Sequence, residues 1–283
     1  MTVLEAIQKG ADFLGKKNVE SPRLQTELLL THLLKMPRMK LYLNFDRVLA
    51  PAEMDALREL VKRRGQREPL QHITGSTSFC GHEIAVNRHV LVPRPETELL
   101  AELGWQFLST INHQPSTCLD LCTGSGCIAI AVAAKCPEAK IVATDISEGA
   151  LALAEENATR NTVAENIEFR QGDGFAALAN GTRFDLIVSN PPYIPSAEIA
   201  ALEPEVRDFD PRGALDGGAD GLEFCRRLAA QAAAHLRADG KIMVEFGDGQ
   251  AAAIARIFEA EKWIVQAVKE DYSQRARILV ARR

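Results

Sequence analysis

The tetrapeptide Asn190-Pro191-Pro192-Tyr193 is the stretch of this sequence with the strongest chemical signature. Its two prolines fix φ and remove two N–H donors, so the loop is stiff and its carbonyls are free to accept. Asn190 offers a side-chain carbonyl beside the backbone carbonyl of Pro191. Two acceptors side by side match the two N–H bonds of a planar –NH2 group. Tyr193 adds a flat face on which the carrier of that group can stack. Such a site holds an amide or exocyclic amine with its remaining lobe toward an electrophile. An amide nitrogen is a poor nucleophile because its lone pair is delocalised. Donating both protons to oriented acceptors favours a more tetrahedral nitrogen, and near-attack alignment contributes much of the rest. No strong general base is needed, since the proton can leave after transfer.

A second constellation lies upstream, in Asp120-Leu121-Cys122-Thr123-Gly124-Ser125-Gly126. Gly124 and Gly126 carry no Cβ, so a tight turn here lets backbone approach a ligand closely. Counting from Gly124, the sixth position of a dinucleotide fingerprint is Ala129, which some variants allow. Asp120 argues against a dinucleotide, because it places negative charge where a pyrophosphate has to sit. A cationic ligand without phosphates fits better. S-adenosylmethionine (SAM) carries a sulfonium and an ammonium group, and Asp120 is suited to that charged end. Asp145 follows 19 residues after Gly126, where a strand-end carboxylate accepts the ribose hydroxyls. On the plainer reading, Asp145 and Ser147 cap the next helix.

These motifs need a frame, and the periodicity supplies one. Val3, Leu4, Ile7, Ala11 and Leu14 recur at helical spacing, Ser21-Pro22 reads as a helix cap and first turn, and Pro51 opens a third helix through Met54, Leu57 and Val61. That helix ends in Lys62, Arg63, Arg64 and Arg67, read either as a solvated helix end or as a contact patch for an anionic partner. Thr77–Ile84 and Ala85–Val92 read as two extended stretches, a hairpin around Gly81 and Asn87, before a helix beginning near Glu96. From residue 116 strands and helices alternate: strands at 117–121, 140–144, 167–170, 184–189, 241–246, 263–268 and 276–280, with helices between most of them. Repeated βα units predict an α/β fold, doubly wound around a mostly parallel sheet, whose ligands bind beyond the carboxyl ends of the strands. The expected division is a helical domain over 1–72, a β-hairpin linker over 73–95 and a catalytic domain over 96–283.

Composition excludes several classes. The chain of 283 residues is 46% hydrophobic and 25% charged, which rules out disordered and low-complexity readings. The net charge of −5 is split unevenly: residues 1–80 hold 13 basic and 9 acidic side chains, and the rest hold 20 and 29. A catalytic half at −9 does not suit a nucleic-acid channel, and the +4 of the first part fits an acidic protein partner or a ribosome-adjacent one. The six cysteines lack the C-x2-C spacing of metal or redox sites and are read as reduced, buried thiols, with no metal site. The scattered histidines form no ligand motif. With no signal peptide and no apolar run of membrane length, a cytoplasmic protein is expected.

Together these residues carry a family resemblance. Asn190-Pro191-Pro192-Tyr193 after a strand, with the Asp120–Gly126 turn upstream, is similar to the SAM-dependent amino-methyltransferases. Within them, Leu91-Val92-Pro93-Arg94-Pro95-Glu96-Thr97-Glu98 and the stretch Pro211 to Leu222 resemble the PrmC/HemK-type N5-glutamine methyltransferases. The resemblance covers essentially the whole chain. It implies a Rossmann-like methyltransferase fold with a small helical N-terminal domain. The implied activity is methyl transfer from SAM, leaving S-adenosylhomocysteine, to the glutamine side chain in the Gly-Gly-Gln motif of class I peptide chain release factors. A monomer acting on a protein, without direct nucleic-acid or membrane contact, is the implied form.

By motif position, the resemblance implies SAM contacts from Asp120, Cys122, Thr123, Gly124, Ser125, Gly126, Asp145, Ile146, Asp173, Gly174 and Asn190, with Phe175 flanking the adenine. Asn190, Pro191 and Tyr193 would form the catalytic loop and, with Pro192, the glutamine pocket. Arg94 and Glu98 would line the substrate entrance; as isolated residues they, with Glu96, equally suit capping of the following helix. Three departures stand out: Cys122 replaces the family's usual Gly, Phe175 stands where some members have Trp, and Asp210 where Glu is frequent. A sister group methylates a glutamine of a large-subunit ribosomal protein and shares the Cys-Thr-Gly-Ser-Gly-Cys turn. The run Arg94 to Glu98 favours the release-factor group. Adenine-N6 methylation of nucleic acid uses the same loop chemistry, but it needs a recognition region for which no length remains.

Overall fold

A computed structural model describes all 283 residues, which fall into two units. The first comprises Met1–Ser76 together with Glu203–Phe209, and the second Thr77–Leu202 with Asp210–Arg283.

The first unit is helical: α1 (Val3–Gly15), α2 (Pro22–Leu34), α3 (Arg38–Tyr42), α4 (Pro51–Gly65) and α5 (Leu70–Thr74). Val3, Ile7 and Leu14 of α1 meet Leu29 and Leu30 of α2 and Leu57 and Val61 of α4 in one buried cluster. The short helices α3 and α5 were not anticipated, because five residues are too few to show a helical period. Thr2 caps α1 in a capping box with Glu5. Ser21 makes no side-chain cap bond at α2, contrary to expectation; it sits at φ +48 and leaves Pro22 to start the helix.

The basic end of α4 is solvated only in part: Lys62 is exposed, while the three arginines are engaged within the unit. Arg63 pairs with Glu68, and Arg64, 5% exposed, donates to Gln25, to the Glu68 carbonyl and to Glu205 at 2.8 Å. Arg67 forks onto Glu205 and reaches Glu203. The cluster therefore anchors the helical turn Pro204–Arg207, which is distant in sequence, within this unit.

The second unit opens with the hairpin β1 (Ser76–Phe79) and β2 (His82–Ala85). Its turn is Cys80-Gly81, both at positive φ (+50 and +82), the geometry that matches the twist of paired strands. The expected second stretch, 85–92, is not a strand: after Ala85 the chain turns at Asn87–Val90 and runs irregularly to α6 (Pro95–Leu108). Then follow β3 (Thr117–Leu121), α7 (Cys127–Lys135), β4 (Lys140–Asp145), α8 (Glu148–Arg160), β5 (Ile167–Gln171), β6 (Phe184–Ser189), α9 (Glu223–Gln231), β7 (Leu236–Glu245), α10 (Ala251–Ala260), β8 (Ile264–Glu270) and β9 (Ala276–Arg282).

Seven strands form one sheet in the order β5-β4-β3-β6-β7-β9-β8, parallel except for β9, which runs antiparallel to both neighbours. Alternate residues divide between its faces. Cys118, Leu186, Val188 and Met243 join one apolar layer with α6 and α7, while Leu119, Leu121, Ile187 and Val244 join the other with Phe258 of α10. The helix before β7 is short: α9 stops at Gln231, a 3-10 turn covers Ala232–His235, and β7 has begun by Leu236.

Candidate active site

The chain order reverses between β3 and β6, which makes their carboxyl ends the expected ligand crevice. Register puts the two motifs side by side there. Leu121 is paired with Ser189, and Ser189 Oγ donates to the Leu121 carbonyl at 2.8 Å, so the glycine turn and Asn190 leave adjacent strands at one level. A cavity of about 360 Å³ opens at this point. Its wall includes Cys122, Thr123, Gly124, Ser125, Asp145, Ile146, Asp173, Gly174, Asn190, Pro192 and Arg94, all singled out by sequence.

The glycine turn is held from behind. Asp120, fully buried, accepts from Thr123 Oγ1 at 2.7 Å and from the Ala129 N–H at 3.2 Å through one oxygen. Its other oxygen has no partner, and burial, against these hydrogen bonds, pushes its pKa to about 7. Asp120 is thus not in the cavity wall; it shapes the turn that is. Cys122 adopts φ +62, a left-handed conformation that costs a residue with a Cβ about 1–2 kcal/mol. This is where the resembled family usually has Gly. Gly126, at φ +79, lies so close to α8 that a Cβ would sit 3.0 Å from the Ala154 methyl.

Asp145 acts at both ends of its carboxylate. Oδ2 accepts from the Gly124 N–H and Oδ1 from the Ser147 N–H, each at 2.9 Å. Each oxygen keeps a further lone pair, and Asp145 lines the cavity. Ser147 caps α8 through the Ala150 N–H, so the capping and ligand readings hold together. Ile146, 67% exposed, lies on the cavity wall, as do Phe224 and Arg227, whose guanidinium stacks on the Phe224 ring and donates to Asp173.

Besides Asp120 and Gly126, four expected placements do not match the cavity wall. Phe175 packs into the core and stacks on His235 with ring centroids 4.9 Å apart; the aromatic ring in the wall is Phe224, which sequence reasoning missed. Glu98 turns to the hairpin, accepting from the Cys80 N–H at 2.9 Å, and so is not at the entrance. Tyr193 presents its ring elsewhere than the wall: Gln250 holds its carbonyl at 2.9 Å and its hydroxyl faces Glu245. Pro191 is buried. Arg94 does reach the wall, where it also donates to Asp210 at 3.1 Å. Burial lifts the Asp210 carboxyl to about 6 despite that guanidinium.

Sequence reasoning also missed Asn157 and Glu245. Asn157, 0% exposed on α8, brackets Ala85 of β2 with both ends of its amide (2.8 and 3.0 Å) and donates to the Ser125 carbonyl at 2.9 Å. It ties the hairpin to the glycine turn. Glu245 ends β7, 2% exposed, with Oε2 unpaired. A carboxylate inside the apolar run Ile242–Phe246 was the available signal.

A fit to SAM can be judged from these groups. The open space above Gly124, where a Cβ would meet no atom of the chain within 4 Å, admits a ligand against backbone. Asp145 offers unsatisfied acceptors, apolar cover comes from Ile146 and Phe224, and the buried carboxyl oxygen of Asp120 favours a nearby positive charge. The residues fit. This sheet order, with such a turn after its first strand and an acidic end on its second, defines a SAM-dependent methyltransferase. The catalytic domain of hMettl16 has the same fold, with a TM-score of 0.54 at 17% identity over 71% of this chain and 75% of that one. Residues 5–75 match the model of the PrmC N-terminal domain and residues 104–202 that of the methyltransferase small domain. Two release factor glutamine methyltransferases are similar over nearly the full length. That of Geobacter sulfurreducens is 45% identical over 91% of this chain and 88% of its own. That of Rhodospirillum rubrum is 44% identical over 98% and 84%. The chain belongs to the release factor glutamine methyltransferase family.

Proposed function

We propose that the chain transfers a methyl group from SAM to the side-chain amide nitrogen of a glutamine in a peptide chain release factor, the Gly-Gly-Gln glutamine of class I factors, and that Asn190 aligns that nitrogen. The observation that carries this reading is the position of Asn190. It leaves β6 at the level where the glycine turn leaves β3, and it lines the same cavity as Asp145 and Gly124. SAM supplies an electrophilic methyl group when bound. The turn Cys122–Gly126, Asp145 and Ile146 would hold it, with Asp173, Gly174 and Phe224 on the far wall. Asn190 Oδ1 and the Pro191 carbonyl accept the two N–H bonds of the glutamine amide, fixing its plane and exposing the nitrogen lobe. The prolines contribute by leaving no N–H to compete for those acceptors. Arg94, on the cavity wall, would meet substrate main chain. Residues 1–72 serve as the docking domain and 73–95 as the linker, and the enzyme works as a cytoplasmic monomer on a protein, not a nucleic acid.

The test is methyl transfer from labelled SAM to purified, unmethylated release factor. Parallel reactions contain the factor with its Gly-Gly-Gln glutamine replaced, the ribosomal protein, and DNA. Label on the intact factor that vanishes with the glutamine replacement is the expected result. Label on the ribosomal protein alone, or on DNA alone, refutes the substrate assignment while keeping the fold.

A further inference from the structure

The mechanism needs Asn190 to face the substrate with its carbonyl oxygen, yet an asparagine amide turns over by rotation about one bond. Presented the other way, it would set its NH2 against the substrate's NH2, donor against donor. Something must choose between the two orientations.

The choice is made behind the loop. Asn190 Nδ2 donates to Thr97 Oγ1 at 3.1 Å. Thr97 stands in the first turn of α6, 2% exposed, and so has no solvent to bond with instead. Having accepted from Asn190, its hydroxyl has one proton to give, and the group it faces is the Glu245 carboxyl. The hydroxyl of Tyr193 faces that same carboxyl. Register accounts for the meeting: Ser189 pairs with Val244, so Asn190 and Glu245 follow at one level on β6 and β7, and α6 packs across both strands.

We propose that Thr97 and Glu245 are positioning residues that fix the orientation of the Asn190 amide, so that Oδ1 and not Nδ2 is presented to the substrate glutamine. Once ionised, above about pH 7, the Glu245 carboxylate only accepts hydrogen bonds, so the direction of the chain is then set from its buried end. Thr97 accepts from Asn190 Nδ2, the Glu245 carboxyl faces the Thr97 hydroxyl that is left to donate, and the asparagine oxygen is the atom not used behind the loop. The cost of the arrangement argues against a purely structural role. Glu245 is buried with one oxygen unpaired, and Arg277 is the cation that acts on it while Glu96 opposes. A well-packed apolar side chain would hold this site more stably than a carboxylate so poorly compensated. The threonine belongs to the Arg94–Glu98 run, to which the reaction otherwise assigns only Arg94.

This inference rests on the glutamine-methylation reading, and the experiment separates the two. Release factor methylation is measured for wild type, Thr97→Val, Thr97→Ser, Asn190→Ala and the Thr97→Val/Asn190→Ala double variant, with SAM affinity by calorimetry and folding by thermal melting. Thr97→Val is expected to lower kcat by about tenfold or more, the scale of a misaligned reacting group, with SAM affinity unchanged. Thr97→Ser, which keeps the hydroxyl, is expected to restore the rate. In the Asn190→Ala background the valine should have no further effect, because there is no amide left to orient. Wild-type kcat in Thr97→Val, or a valine effect that multiplies with Asn190→Ala, overturns the inference. Should the valine fail to fold, Glu245→Leu, which removes the acceptor that a glutamine would retain, carries the same test: a fall in kcat absent from the Asn190→Ala background supports the inference, and an unchanged kcat overturns it. A wild-type chain that leaves the release factor unlabelled overturns the underlying reading, and this one with it.

Discussion

Replacing Glu245 by Gln should change how the stability of this protein depends on pH, and the structure gives both the sign and the size. Burial raises the carboxyl from 4.5 to about 7; Glu96 adds to the rise, and Thr97, Arg277 and Tyr193 oppose it. Between those two values the folded state holds a proton that the unfolded state has released. Stability therefore falls as pH rises through this window, the reverse of the behaviour of a salt-bridged carboxylate. The interval corresponds to about 3 kcal/mol, absent below pH 4.5 and complete above pH 7. Glutamine keeps the shape and does not titrate. The difference in unfolding free energy, variant minus wild type, should accordingly grow by about 3 kcal/mol in the variant's favour between pH 4.5 and 8. Urea titrations of both proteins across that range measure it. Asp120 and Asp210, also raised by burial, contribute equally to both proteins and cancel in the difference. A difference that stays flat with pH would refute the claim that a buried, poorly compensated carboxylate sits behind the Asn-Pro-Pro-Tyr loop.

Asn190→Ala should cut kcat by about a hundredfold or more while SAM affinity by calorimetry stays within a few-fold, since one of two amide acceptors is lost and the cofactor wall remains. Asp145→Ala should weaken SAM binding by about 10–100-fold, because hydrogen bonds to a charged carboxylate are worth about 1.5–3 kcal/mol and its loss also frees the Gly124 N–H; isothermal titration reads it directly. Asn157→Ala leaves the Ala85 N–H and carbonyl and the Ser125 carbonyl without their buried partner and should cost about 3 kcal/mol in urea denaturation. Arg64→Ala strips Glu205 of its buried partner while Arg67 remains, and should destabilise by about 3 kcal/mol, read as a drop in the circular-dichroism melt.

The parts of this molecule that were legible in the sequence share a physical cause. The glycine turn, Asp145 and the Asn-Pro-Pro-Tyr loop each use residues whose backbone or charge is costly anywhere else, so their types and spacing report a local requirement. The parallel strands read from short apolar runs for the same reason: burial on both faces leaves them little freedom of composition. What escaped was set by distance. Phe175 and Phe224 are both aromatic residues near the right strands, and tertiary packing separates them: Phe175 stacks on His235 within the core cluster, and Phe224 carries Arg227 on the cavity wall. Arg64 and Arg67 looked like surface charge because Glu203 and Glu205, their partners, lie far along the chain. Glu98 resembled an entrance residue until the hairpin turn claimed it.

Asn190 joins the two kinds of information. Its type and the prolines beside it announce an acceptor for an –NH2 group, but a sequence does not state which end of the amide will face the ligand. That is settled by a threonine 93 residues upstream and a glutamate on the next strand. The orientation is cheap to lose, since it depends on a hydroxyl rotor and one amide rotation, and expensive to keep, since it requires a carboxylate in the core. A glutamine methyltransferase meets this demand more acutely than an enzyme acting on a stronger nucleophile. The nitrogen it methylates has almost no basicity, so alignment must supply what nucleophilicity does not. The buried carboxylate is then the cost in stability at which the loop keeps its oxygen turned outward.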